Sequence, residues 1–207
     1  AVQEELRPLM QRLAQEQPLM AHDLTSVRRA ALRHLAEMHS PSEMEHCDAA
    51  IDLFLAERSR VGAHLYSDVL GCFETLRDRH GIKQLAIVTN GNARVTEFCT
   101  AISQHLSLCL TTCETGCLKP SPLPFVAVAQ RLGVSPNRVL FVGDSLEKDA
   151  LAACAVGMLG CHLSRETVAE GAVVSNTLRG PDRFPFVETS SLKNESFIDA
   201  VRAYLHD

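Results

Sequence analysis

The residues best suited to chemistry in this sequence stand just past its apolar runs. QLAIVTNG stops at Thr89, Asn90 and Gly91, and VLFVGDS stops at Gly143, Asp144 and Ser145, with Asp149 five residues beyond Asp144. Lys119, one of only four lysines, stands in CLKPSP ahead of a proline-bounded segment. A hydroxyl and an ammonium grip phosphoryl oxygens, while paired carboxylates hold a hard cation such as Mg2+. Each residue alone has a plainer reading. Thr89 suits a turn, Lys119 a solvated loop, Asp144 the cap of the next helix, and Asp149 a polar helix face. It is their occurrence together, and in this order, that points to a phosphate-and-metal site.

Those residues need a frame, and the hydrophobic periodicity predicts one. Residues 1–62 carry only helical spacing: Leu6, Leu9, Met10 and Leu13 in a first helix, and Leu32, Leu35 and Ala36 in a second capped by Asp23 or Thr25. A third, from Glu43 to Arg58, starts at the Ser42/Glu45 pair and offers Ala49, Ile51, Leu53, Phe54 and Leu55 as its apolar face. From residue 63 strands alternate with helices. Strands are expected near 84–89, 107–112, 138–143 and 157–163, with a weaker one in FPFVETSS before a closing helix, SFIDAVRAYL. Alternation of this kind predicts an α/β fold with a parallel sheet covered on both faces. In such sheets ligands bind outside the carboxyl ends of the strands, where Thr89, Asp144 and their neighbours stand. The expected organisation is a helical unit at 1–62 and a parallel α/β core at 63–207.

Composition narrows the partners. The 207 residues carry 20 basic and 25 acidic side chains, a net charge of −5, so nothing suggests the basic footprint of a nucleic-acid binder. No apolar run approaches the ~18 residues that would span a bilayer. Eight cysteines, mostly inside apolar runs, read as buried reduced thiols and place the protein in a reducing, intracellular compartment, the cytoplasm. The spacing of Cys109, Cys113 and Cys117 is loose for a zinc site, so they read as strand-end and loop thiols.

The ordered set of motifs resembles the haloacid dehalogenase superfamily of hydrolases, in the group with a helical cap. IVTNG resembles the family's second motif, which implies that Thr89, with Asn90 and Gly91, binds the transferring phosphoryl group. LKPSP resembles the third, which makes Lys119 a catalytic and phosphate-binding cation that neutralises nucleophile and substrate. FVGDSLEKDALAA resembles the fourth, an acidic motif that assigns Asp144 and Asp149 to the metal. The resemblance implies a Rossmann-like parallel core behind a helical cap.

The family's first motif, D-x-D-x-[TV] at the end of the first core strand, has no counterpart, for no D-x-D occurs in the 207 residues. HDLTS at His22 to Ser26 has a single Asp and sits between helices. By resemblance the missing strand is a central one, and its loss leaves backbone groups of two neighbours without partners. The leading expectation is therefore a Mg2+-dependent phosphatase of small phosphorylated metabolites, its aspartate nucleophile on a segment upstream of Ala1. On that expectation the chain alone binds Mg2+ weakly or not at all and is inactive. The alternative is a catalytically inactive binding or assembly protein on the same fold, a pseudoenzyme with a protein partner. A strict dehalogenase is the weaker enzymatic reading, because by resemblance those enzymes use no metal and lack the Gly143–Asp144 pair.

Overall fold

The computed structural model describes residues 2–165, 186–193 and 198. In chain order the helices are α1 (Val2–Glu16), α2 (Leu24–His39), α3 (Cys47–Ser59) and α4 (Val69–Asp78), followed by strand β1 (Ala86–Val88). Two single turns, α5 (Val95–Phe98) and α6 (Thr100–Ser103), lead to β2 (Leu108–Leu110), α7 (Thr112–Thr115) and α8 (Leu123–Leu132). Then come β3 (Leu140–Gly143), a π-helical turn at Leu146–Leu151, α9 (Ala152–Ala155), β4 (Leu159–Leu163) and β5 (Phe186–Thr189).

The chain forms two compact units. One gathers Ala1–His64, Thr89–Ser103 and Thr111–Leu118; the other gathers Leu65–Val88, Gln104–Leu110 and Lys119–Asp207. In the first, Asp23 caps α2 by accepting from the Thr25 and Ser26 N–H groups, each at 3.0 Å. Its small core packs Leu9 of α1 against Ala31 and Leu35 of α2, flanked by Leu6, Met10 and Leu13. The third helix departs from expectation. Pro41–His46 is a 3-10 turn, and the α-helix begins only at Cys47, with no capping bond from a side chain. Its buried residues are Cys47, Ile51 and Ser59, a stripe of fourfold spacing, whereas Leu53 and Phe54 lie off that stripe and are exposed. Between β1 and β2 the helical stretch is broken at Cys99, whose non-helical backbone, φ −132° and ψ 83°, separates α5 from α6.

The second unit is an α/β fold in which every strand pair among the described residues is parallel. β1 pairs with β2, Ala86 opposite Leu108 and Val88 opposite Leu110. β3 pairs with β4, Leu140 opposite Leu159, and β4 with β5, Gly160 opposite Phe186. These make two sheets, β1-β2 and β3-β4-β5, so among the described residues β1 and β3 each keep one edge without a strand partner. Both sheets nonetheless share one core: Phe125, Val128 and Ala129 of α8 pack with Leu110, Phe141, Ala153 and Met158, and Ala86 and Val88 lie against them. Phe125 and Phe141 meet at 4.7 Å between ring centroids. α8 ends at Gly133, whose φ of 67° closes the helix in the left-handed region that glycine favours. Of the expected closing helix only Ile198 is among the described residues, packed with Leu159, Cys161 and Val187; the segment Glu170 to Pro185 lies outside them.

Candidate active site

In the α/β unit the carboxyl ends of β1 and β3 are joined by Lys119. Its Nζ donates to the Val88 carbonyl at 3.0 Å and to Asp149 Oδ1 at 2.6 Å, and stands 5.2 Å from the centre of the Phe141 ring. Asp149 is buried and Lys119 largely so, with side chains 6% and 12% exposed. Such a pair in low dielectric persists only when its remaining polar atoms are bonded. Asp149 meets that condition, because its Oδ2 accepts from the Ser145 N–H at 3.1 Å.

The backbone of GDSLEKD explains how Asp149 reaches back. Ser145 caps the turn by accepting from the Lys148 N–H at 3.2 Å, and its carbonyl accepts from the Asp149 N–H at 3.0 Å. The following π-helical turn is wider than an α-turn and returns the Asp149 side chain over the end of β3. It lies so close to Gly143 that a Cβ there would stand 2.3 Å from Asp149 Cβ and Cγ. Glycine is therefore needed at 143 for space.

Asp144, next in the chain, is exposed, and its carboxylate has no hydrogen-bond partner among the described residues. Its peptide carbonyl faces His162 Nε2 at 3.2 Å, and His162 Nδ1 faces Glu188 Oε1 at 3.0 Å. Thus β4 and β5 tether the acidic turn through a histidine that sequence reasoning passed over. The only signal was an imidazole breaking the apolar run MLGCHLS. Elsewhere in this unit, Asp68 accepts two 2.9 Å bonds from Arg165, one from Ser191 Oγ at 3.2 Å and one from the Leu192 N–H at 3.0 Å. Burial pushes its pKa up, but these bonds outweigh burial and hold the carboxyl below the ordinary carboxylate value.

Thr89, Asn90 and Gly91 belong to the helical unit and form one turn. Thr89 Oγ1 accepts from the Gly91 N–H at 2.8 Å, which uses a lone pair and leaves the hydroxyl proton to be donated. Two ties hold the turn to helices: Asn92 Nδ2 donates to Thr25 Oγ1 at 2.9 Å, and the Arg94 N–H donates to Ser59 Oγ at 2.9 Å.

As a magnesium site the described residues are incomplete. No group of three or more His, Cys, Asp or Glu side chains among them is placed to hold a metal ion. Asp149 has both oxygens engaged, so Asp144 is the one open carboxylate of the pair, short of the six oxygens that Mg2+ requires. Lys119 and Asp149 are thus brought together, Asp144 stands free beside them, and Thr89 is oriented within its own turn.

The family model for haloacid dehalogenase-like hydrolases matches residues 6–157. The chain belongs to that family. It is 28% identical over 130 residues to a phosphoglycolate phosphatase of Haemophilus influenzae, covering 61% of this chain and 57% of that one. To the Escherichia coli 5-amino-6-(5-phospho-D-ribitylamino)uracil phosphatase it is 27% identical over 168 residues, covering 79% and 67%. A shorter match, 42% over 52 residues, is to a glyceraldehyde 3-phosphate phosphatase of Methanopyrus kandleri, covering 25% of this chain and 22% of that one. The chain therefore spans from about a fifth to somewhat over half of the first three curated relatives. Among solved structures, the 2-haloacid dehalogenase of Pseudomonas syringae superposes with a TM-score of 0.73 at 26% identity, covering 97% of this chain and 80% of that one. None of the described helices is long and apolar enough to cross a membrane.

Proposed function

We propose that this chain is the cap and most of the core of a Mg2+-dependent phosphomonoesterase acting on small phosphorylated metabolites, with its attacking aspartate outside these 207 residues. The observation that carries this reading is Lys119, held by Asp149 and the Val88 carbonyl at the carboxyl ends of two strands from different sheets. An ammonium so fixed is preorganised to neutralise a phosphoryl group arriving there, with no reorganisation cost at the moment of reaction. The Thr89 hydroxyl, its lone pair already occupied by the Gly91 N–H, donates to a phosphoryl oxygen. On this reading Thr89 and Lys119 converge on one substrate, Asp144 is a direct metal ligand and Asp149 supports it. Residues 1–62 act as the cap that selects the substrate. The phosphatase names of the curated relatives support the same direction. Free thiols, five of the eight buried, support a reducing compartment.

Neither Thr89 nor Lys119 can open a phosphate ester by itself, because stabilising charge accelerates reaction only when an attacking group is held in line. The open edges of β1 and β3 support a parallel strand between them, its carboxyl end carrying the nucleophile beside Lys119. The test is a phosphate-release screen at saturating Mg2+ on the 207-residue chain and on the chain extended upstream through a D-x-D-x-[TV] strand. Turnover is expected from the extended chain alone. Turnover by the short chain that is lost in Asp144→Ala would place the nucleophile within these residues.

The second reading, a binding or assembly protein without catalysis, is favoured by the absence of any D-x-D from the sequence. Silence of both chains in the screen would put it ahead. The structural likeness to a 2-haloacid dehalogenase supports a third; halide release from a 2-haloacid without metal is its signature.

A further inference from the structure

Most arginines of α2, α3 and the turns beside them are neutralised where they stand. Arg29 and Arg33 face Asp48, Arg29 also faces Asp52, Arg60 faces Glu57, and Arg94 faces Glu97. Arg28 and Arg58 differ: neither has a carboxylate at ion-pair distance among the described residues. Arg28 is half-buried, its guanidinium 4.4 Å above the Phe54 ring, and its Nη1 is shut away from solvent without a hydrogen-bond partner. Burial, and then repulsion from Arg58, lowers the pKa of its guanidinium. Two like charges near enough to repel, one with a buried unbonded N–H, are costly until an anion joins them.

Their place in the helical unit is informative. Thr25 and Arg28 are one turn apart on the same face of α2, and Thr25 is bonded to Asn92. Arg58 Nη2 and Thr89 Oγ1 stand 3.4 Å and 3.1 Å from the point that a Cβ on Gly91 would occupy. Because Gly91 has no side chain, the Thr89 hydroxyl and the Arg58 guanidinium border the same small space. We propose that Arg28 and Arg58 form an oxyanion subsite beside the Thr89–Gly91 turn, so that the substrate is a small phosphate ester carrying a second anionic group, carboxylate or phosphate. The nearness of Arg58 to Thr89 puts the two anionic groups only a few bonds apart. Planar guanidinium forks suit either oxyanion, because each offers parallel N–H donors. The subsite stands on its own geometry; its pairing with a phosphoryl group rests on the reading of Thr89 given above.

The experiment is calorimetric titration of the 207-residue chain with ethyl phosphate, 2-phosphoglycolate and ethane-1,2-diyl bisphosphate. At least one doubly charged probe is expected to bind about tenfold or more tightly than ethyl phosphate, the margin of one charged hydrogen bond. Which probe binds better distinguishes carboxylate from phosphate. Arg28→Gln and Arg58→Gln should each remove that margin, Arg58→Lys should restore part of it, and Thr89→Val should weaken all three probes while leaving it. Without ligand, Arg58→Gln should melt no lower than the parent chain, since it relieves repulsion. No margin in the parent chain, a margin that survives both Gln variants, or a fall in Tm on Arg58→Gln overturns the proposal. Equal binding of ethyl phosphate to the parent and Thr89→Val overturns only the phosphoryl reading of Thr89, and the margin still judges the arginines.

Discussion

Replacing Gly143 by alanine inserts one methyl group where the structure has no room. The new Cβ would stand 2.3 Å from both Cβ and Cγ of Asp149 and 2.5 Å from its Oδ2, against about 3.4–4 Å for ordinary contact. Over an ångström must be found, and neither neighbour yields easily. Gly143 is the last residue of β3, opposite His162, and Asp149 is held by Lys119 and by the Ser145 N–H. Overpacking of this kind costs about 1–3 kcal/mol. If Asp149 moves instead, it abandons a buried ion pair, and breaking such a pair costs about 3–5 kcal/mol. The chain takes the cheaper mixture, so a loss of about 3 kcal/mol is expected. For a domain of this size that lowers Tm by about 6–12 °C. Urea and thermal unfolding measure it, and a double-mutant cycle with Asp149→Gly isolates the cause. With no Asp149 side chain to meet, Gly143→Ala should cost less than about 1 kcal/mol. A small loss in the parent chain, or the same loss in the Asp149→Gly background, would refute the steric account of this motif.

Three further outcomes concern the same unit. Asp68→Ala should destabilise by about 3–5 kcal/mol, because it leaves Arg165 without its carboxylate and removes the acceptor of Ser191 Oγ and the Leu192 N–H. The Asp68 carboxyl is held below its ordinary value, so its stabilisation is present above that value and is lost as pH falls through the depressed one. Acid unfolding of the parent chain should therefore be steeper than that of Asp68→Ala, a contrast that urea midpoints from pH 7 down to pH 2 would measure. Mg2+ titrated into the 207-residue chain should bind weakly, and Asp144→Ala should remove what binding there is; micromolar affinity unchanged in that variant would contradict the assignment of Asp144.

Much of this fold is written in local pattern. Alternation of short aliphatic runs with helical segments specifies a parallel α/β unit, because a strand covered on both faces must be apolar throughout and its crossover must be a helix. The runs ending at Val88 and Gly143, the glycine closing α8 and the aspartate capping α2 are all local chemistry, legible without neighbours. So are Thr89, Lys119 and Asp144 as residues worth attention, since turn and strand-end positions are marked by composition. What linear pattern cannot carry is distance between residues far apart in the chain. That Lys119 spends its charge on Asp149 and Val88, that His162 and Glu188 tether the Asp144 turn, and that Arg28 and Arg58 meet no carboxylate among the described residues depend on packing. The apolar face of α3 shows the same limit at short range: five hydrophobic residues were available, and the fourfold stripe through Cys47, Ile51 and Ser59 was chosen by what α3 packs against. Sequence periodicity sets which residues a helix or strand can present; only the tertiary structure decides which neighbours meet them, because burial and pairing energies belong to contacts between segments and not to any segment alone.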